Sequence, residues 1–119
     1  MAGKLVHFEI PAADTGRAKG FWSGVLEWEF GDSAMPDFEY YMVRTGEDQG
    51  GAVMPSQGSS GIVVYFDTDD IDASIGRVRE GGGTAEDKMP IPHVGWFASC
   101  TDTEGNAFSL FQSDESVTG

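Results

Sequence analysis

The chain states one pattern twice. A β-rich run leads into an acidic cap and an amphipathic helix, first as V-H-F-E-I-P-A-A-D-T-G-R-A from Val6 and again as I-V-V-Y-F-D-T-D-D-I-D-A-S from Ile62. Aligning Asp14 with Asp70 sets His7 opposite Val63, a constant offset of 56 residues. A repeat of this kind confines the chain to folds made of two like units, and such a pair builds a pseudo-symmetric pocket between its halves. The side chains facing that pocket decide the chemistry, because a fold by itself fixes none.

In the first copy, Lys4 to Ile10 alternates with period two, Val6, Phe8 and Ile10 on one face and Leu5, His7 and Glu9 on the other. Pro11 stops the strand, and Asp14 offers a carboxylate to the amides that open a helix. Along that helix Ala18, Phe21, Trp22, Val25 and Leu26 keep the spacing of a stripe packed on a sheet, which assigns Phe21 and Trp22 to the core. Trp28 to Phe30 reads as a short strand, Gly31 to Asp37 as a turn, Tyr40 to Arg44 as a strand, Thr45 to Gly51 as a polar hairpin loop and Ala52 to Met54 as a strand. The run P-S-Q-G-S-S-G from Pro55 has linker chemistry.

The second copy repeats the outline. Ile62 to Phe66 is a strand, Asp69 or Asp70 caps a helix bearing Ile71, Ile75 and Val78, and Gly81 to Gly83 end it. Thr84 to Met89 is an edge strand, Pro90 and Pro92 bracket a loop carrying His93, and Val94 to Thr101 is a strand holding Trp96 and Phe97. The turn D-T-E-G-N uses Gly105 and Asn106 for positive backbone angles and returns the chain into Ala107 to Gln112. The expected organisation is one α+β domain over 1–119: a β-α-β-β-β module at about 4–55, a linker at 56–61, a second module at about 62–113 and a flexible acidic tail at 114–119.

Twenty acidic residues against seven basic ones give a net charge of −13, which disfavours nucleic acid and anionic membrane surfaces as partners. No apolar run reaches the ~20 residues of a membrane helix, and the N-terminus lacks a signal-peptide pattern, so a cytoplasmic protein is expected. The single cysteine, Cys100, cannot form an internal disulfide and reads as a small buried hydrophobe.

The strand V-H-F-E-I-P, the helix run F-W-S-G-V-L-E-W and the closing D-T-E-G-N-A-F-S-L-F-Q together resemble the vicinal oxygen chelate superfamily, which holds glyoxalase I, fosfomycin resistance transferases, extradiol dioxygenases and bleomycin resistance proteins. The likeness spans roughly residues 4–113 and departs from the usual D-P-x-G-N turn at Thr103. It implies two β-α-β-β-β modules whose curved mixed sheets enclose a cavity, commonly in a homodimer that also covers strand edges. It further implies metal-ligand positions on the first and last strands of each module. Here these fall on His7, Val63, Met54 and Ser109, so only His7 keeps a ligand side chain. One imidazole falls short of the three or four donors that a catalytic ion wants, so no cofactor is expected. A displaced divalent metal site, with Glu9 or His93 recruited, stays open as the alternative.

Strand parity supplies the candidate lining. With His7 and Glu9 facing inward, the repeat adds Val63, Tyr65 and Asp67, the module-closing strands add Ala52, Met54, Ala107, Ser109 and Phe111, and Trp96 adds a stacking surface. Such a lining suits a small organic ligand, aromatic or cationic. His7 and Glu9 are the candidate catalytic pair, the carboxylate raising the imidazole pKa. Two functions follow: a bleomycin-resistance-like binder without a metal, or a lyase, dioxygenase or transferase using His7 and Glu9 as acid and base or as metal ligands.

Overall fold

The alternating run at the N-terminus forms β1 (Leu5–Ala12), and the capped stripe after it forms α1 (Thr15–Leu26). This computed structural model describes residues 3–35, 37–47, 49–56 and 61–118. The protein has a mixed α+β fold. Its contacts divide it into two units, His7–Val63 and Met1–Val6 with Val64–Gly119.

In the first of these, β1 and α1 are followed by β2 (Ser33–Met35), β3 (Phe38–Arg44) and β4 (Gly50–Pro55), with strand order β2-β3-β4-β1. β1 runs parallel to β4 and β3 antiparallel to it. Asp14 caps α1 by accepting a hydrogen bond from the Arg17 amide at 3.0 Å, and the helix stops where Glu27 turns left-handed at φ 57°. Ile10, Val43 and Val53 are buried on the helix side of the sheet, and Ala52 is buried on the opposite face, beside Glu9. Phe8 on the same side lies flat across Gly51, where a side chain would meet its ring.

Three expectations change here. Trp28 to Phe30 forms no strand: Trp28 instead stacks on Trp22 at 5.3 Å and packs against Phe8 at 5.5 Å, so packing of the rings replaces the ladder. The stretch read as a turn holds β2, pinned to β3 as the Ser33 hydroxyl donates to the Phe38 carbonyl at 2.6 Å. On α1, Phe21, Val25 and Leu26 are exposed and Trp22 is half-buried, while Thr15 is buried and Lys19 lies over the Tyr41 ring at 3.4 Å. The helix thus packs on a face rotated roughly 60° from the centre of its apolar stripe, at 3.6 residues per turn. Of the linker, 57–60 lie outside the described residues.

The second unit contains β5 (Val63–Asp67), α2 (Ile71–Glu80), β6 (Thr84–Ala85), β7 (Met89–Ile91), β8 (Gly95–Thr101) and β9 (Ala107–Ser113). Its strand order is β5-β9-β8-β6, β7 also pairing with β8. β5 and β9 are parallel, and the other pairings are antiparallel. Asp70 caps α2, and Ile71 and Ile75 pack with Ala98, Cys100 and Leu110 into the core. Burial raises the Cys100 thiol pKa, which suits a packing role.

The edge strand expected over Thr84 to Met89 is split into β6 and β7, and Pro90, read as bracketing a loop, pairs opposite Trp96 within β7. In the closing turn only Gly105, at φ 84°, takes a positive angle. Asp102 organises that turn, accepting from the amides of Glu104 and Asn106 and from the Asn106 side chain at 2.8–2.9 Å. The C-terminal stretch read as a flexible tail is held instead: Val117 is buried, and its carbonyl accepts from the His93 amide at 2.9 Å. Among the described residues no helix is long and apolar enough to cross a membrane.

Candidate functional site

Parity along β1 sends Phe8 and Ile10 toward α1, and therefore His7 and Glu9 to the opposite face of their sheet. The parallel register sets Glu9 beside Ala52 and Pro11 beside Met54. The antiparallel register sets Met42 beside Ala52, which brings Tyr40, two residues earlier on β3, onto the same face. The Tyr40 hydroxyl sits between the two candidate residues, 2.8 Å from His7 Nε2 and donating to Glu9 Oε2 at 2.7 Å. The His7 and Tyr40 rings lie 18° from parallel with centroids 6.3 Å apart, and Phe38 stacks beside Tyr40 at 6.4 Å.

The electrostatics reverse the expected sign. Glu9 does raise the His7 pKa, yet burial lowers it by more, and the net shift is below the ordinary 6.5. Desolvation wins because the imidazole is largely shielded from water, while the carboxylate is one charge acting alone. His7 is accordingly a neutral imidazole at neutral pH. Of the positions where related metal enzymes carry ligands, Met54 and Val63 offer no oxygen or nitrogen side-chain donor, and among the described residues no group of three or more His, Cys, Asp or Glu side chains is placed to hold a metal ion. His93 occupies an exposed turn at φ 64°.

In the second unit, Tyr65 pairs with Ser109 and Asp67 with Phe111 across β5 and β9. Ser109 is buried, and Tyr65 packs against Phe97 at 6.4 Å. Trp96 takes the other side. It packs against the α2 core, with its indole N–H donating to Asp114 at 3.4 Å and Lys88 over its ring, so it does not share a face with Tyr65, Ser109 and Phe111. Its neighbour Phe97 holds the place assigned to Trp96, since adjacent residues on a strand point to opposite faces. Asp67 and Phe111 also border an open pocket of about 290 Å³ shared with Val6, Asp69 and Gln112. Val63 and Ala107 fall at the heads of β5 and β9.

Sequence reasoning missed Tyr40 and Phe97. Phe97 was within reach of a parity count started from Ser109. Tyr40 lies 33 residues from His7, and only the combined registers of β1, β4 and β3 bring the two together.

Comparison with known proteins gives likenesses of three kinds: to a family model, to a protein sequence and to solved structures. Residues 6–111 match the family model of the glyoxalase-like domain. A glyoxylase-like domain-containing protein of Didymella fabae is 31% identical, over 91% of this chain and 92% of that protein. Among solved structures, a glyoxalase/bleomycin resistance protein/dioxygenase superfamily member from Vibrio splendidus superposes with TM-score 0.71 at 18% identity, covering 95% of this chain and 100% of the other. Methylmalonyl-CoA epimerase from Mycobacterium tuberculosis superposes with TM-score 0.70 at 20% identity, covering 94% and 88%. At such identities the structural likeness is one of fold.

Proposed function

Because this chain belongs to the glyoxalase-like domain family, we propose that it binds a small organic ligand on the sheet face that carries His7, Tyr40 and Glu9. The observation that carries this reading is the hydrogen-bonded set itself, half-buried on the side of the sheet opposite α1 and bordered by Ala52, Met54 and Phe38. A few fixed polar groups among apolar and aromatic side chains orient a ligand whose body is held by burial. No metal is needed for that. Native mass spectrometry of the purified protein tests it: a co-purified organic species lost in Glu9→Ala supports the reading, and a species retained in that variant contradicts it.

The second reading is an acid-base enzyme, favoured by one observation: His7 is held neutral and coupled through a phenol to a carboxylate. A neutral imidazole can accept a proton from a weakly acidic substrate, and the hydrogen-bonded carboxylate stabilises the cation that forms. The epimerase likeness suggests the assay, solvent deuterium incorporation into methylmalonyl-CoA. Incorporation abolished by His7→Ala supports turnover, and none above background contradicts it.

The proposal includes a homodimer and a cytoplasmic setting. Phe21 and Val25 on α1 are 59% and 57% exposed, an apolar shoulder that a second copy would cover. Light scattering at micromolar concentration is expected to give twice the chain mass, and a monomer would remove this part of the proposal.

A further inference from the structure

We propose that Tyr40 is a positioning residue of this site: by committing its one hydroxyl proton to Glu9 it obliges His7 to donate from Nε2, and so fixes the imidazole in its Nε2–H tautomer. A phenol carries a single donor and can accept as well. With the Tyr40 oxygen 2.7 Å from a carboxylate oxygen and 2.8 Å from His7 Nε2, two arrangements of the protons exist. If the phenol donated to His7, its oxygen lone pairs would face the acceptor-only carboxylate at hydrogen-bond distance, which is repulsive. If it donates to Glu9, both of these contacts are attractive and the bond to the carboxylate is charge-assisted. The Nε2 position must then supply the proton to Tyr40.

The functional meaning rests on the reading of the preceding subsection. In the fixed tautomer the lone pair is on Nδ1, so whatever group meets the imidazole there, from the protein or from a ligand, meets an acceptor and must itself be a donor: a hydroxyl, an amide N–H or an acidic C–H. The direction of the chain from His7 through Tyr40 to Glu9 is the same whether His7 is neutral or protonated. Nothing has to turn when a proton arrives, which is the economy of a preorganised site. The near-parallel stacking of the two rings and the Phe38 ring beside them keep the phenol in line.

Nitrogen-15 NMR of the full chain labelled at histidine, recorded near pH 8, tests the inference, with His93→Gln used to assign the two side chains. His7 is expected as one tautomer, Nε2–H. Glu9→Leu removes the acceptor, turns the Tyr40 proton toward Nε2 and is expected to invert His7 to Nδ1–H. Tyr40→Phe is expected to enlarge the minor tautomer by roughly threefold to tenfold, the population equivalent of one hydrogen bond. The double variant is expected to match Tyr40→Phe and show no inversion, an outcome that a merely structural role for Tyr40 does not produce. An Nδ1–H tautomer in the wild type, or Nε2–H retained in a folded Glu9→Leu, overturns the proposal. Should Glu9→Leu fail to fold, Tyr40→Phe, which deletes one oxygen, decides it: an unchanged tautomer ratio overturns it as well. Absence of any bound ligand with this tautomer pattern intact would count against the ligand-binding reading alone.

Discussion

At His7 two forces oppose each other, and burial outweighs the attraction of Glu9. The folded pKa therefore lies below the unfolded value near 6.5. The unfolded chain binds more protons in that window, so stability rises with pH there and is lost as pH falls through about 6.5 toward the folded value. Comparison with His7→Gln isolates this contribution from the many carboxylates. The wild-type melting temperature should fall relative to the variant's as pH is lowered from 7.5 to 5.5, and parallel curves would contradict the burial argument. The alternation of β1 already placed His7 and Glu9 on one face, since period two is local. The sign of the His7 shift was not legible, because it depends on how much water the rest of the sheet face excludes, and Tyr40 was not legible because its place is set by two strand registers.

Secondary structure was most readable where a side chain serves its own backbone. Asp14 and Asp70 cap their helices, and Asp102 gathers two amides of its turn, each through contacts within four residues. Burial was less readable. The apolar stripe of α1 identified the helix but not the face it packs with, because Trp22 and Lys19 both find aromatic partners off the stripe's centre. The glycines of this unit separate the two effects. Gly51→Ala places a methyl group within the ring of Phe8 and is expected to cost about 1–3 kcal/mol, the range of an overpacked core. Gly20→Ala and Gly24→Ala add methyl groups to α1 where nothing lies within 4 Å, and each is expected to gain about 0.5–1 kcal/mol from helix propensity. Urea midpoints at constant slope check all three, and a destabilised Gly20→Ala would show that α1 packs more tightly on that side than described.

Charge acts on the whole molecule at once. Seven cationic side chains face twenty carboxylates, so even if every cation were paired, as Lys88 is with Asp72 at 2.9 Å, thirteen negative charges would remain. Exposed pairs of this kind add little stability. The like charges left over repel one another in the folded state more than in the expanded chain, because folding brings them closer. Salt weakens that repulsion as the screening length shortens from about 30 Å at 0.01 M to about 3 Å at 1 M. The melting temperature is therefore expected to rise as sodium chloride is raised over that range at neutral pH, with most of the gain below about 0.2 M, where the screening length passes through the spacing of surface charges. Hydrophobic burial also strengthens with some salts, so the control is chloride against sulfate at matched ionic strength. A rise common to both in the low range reports screening, whereas a rise confined to sulfate, or a fall with either, would mean that the acidic surface places no strain on the fold.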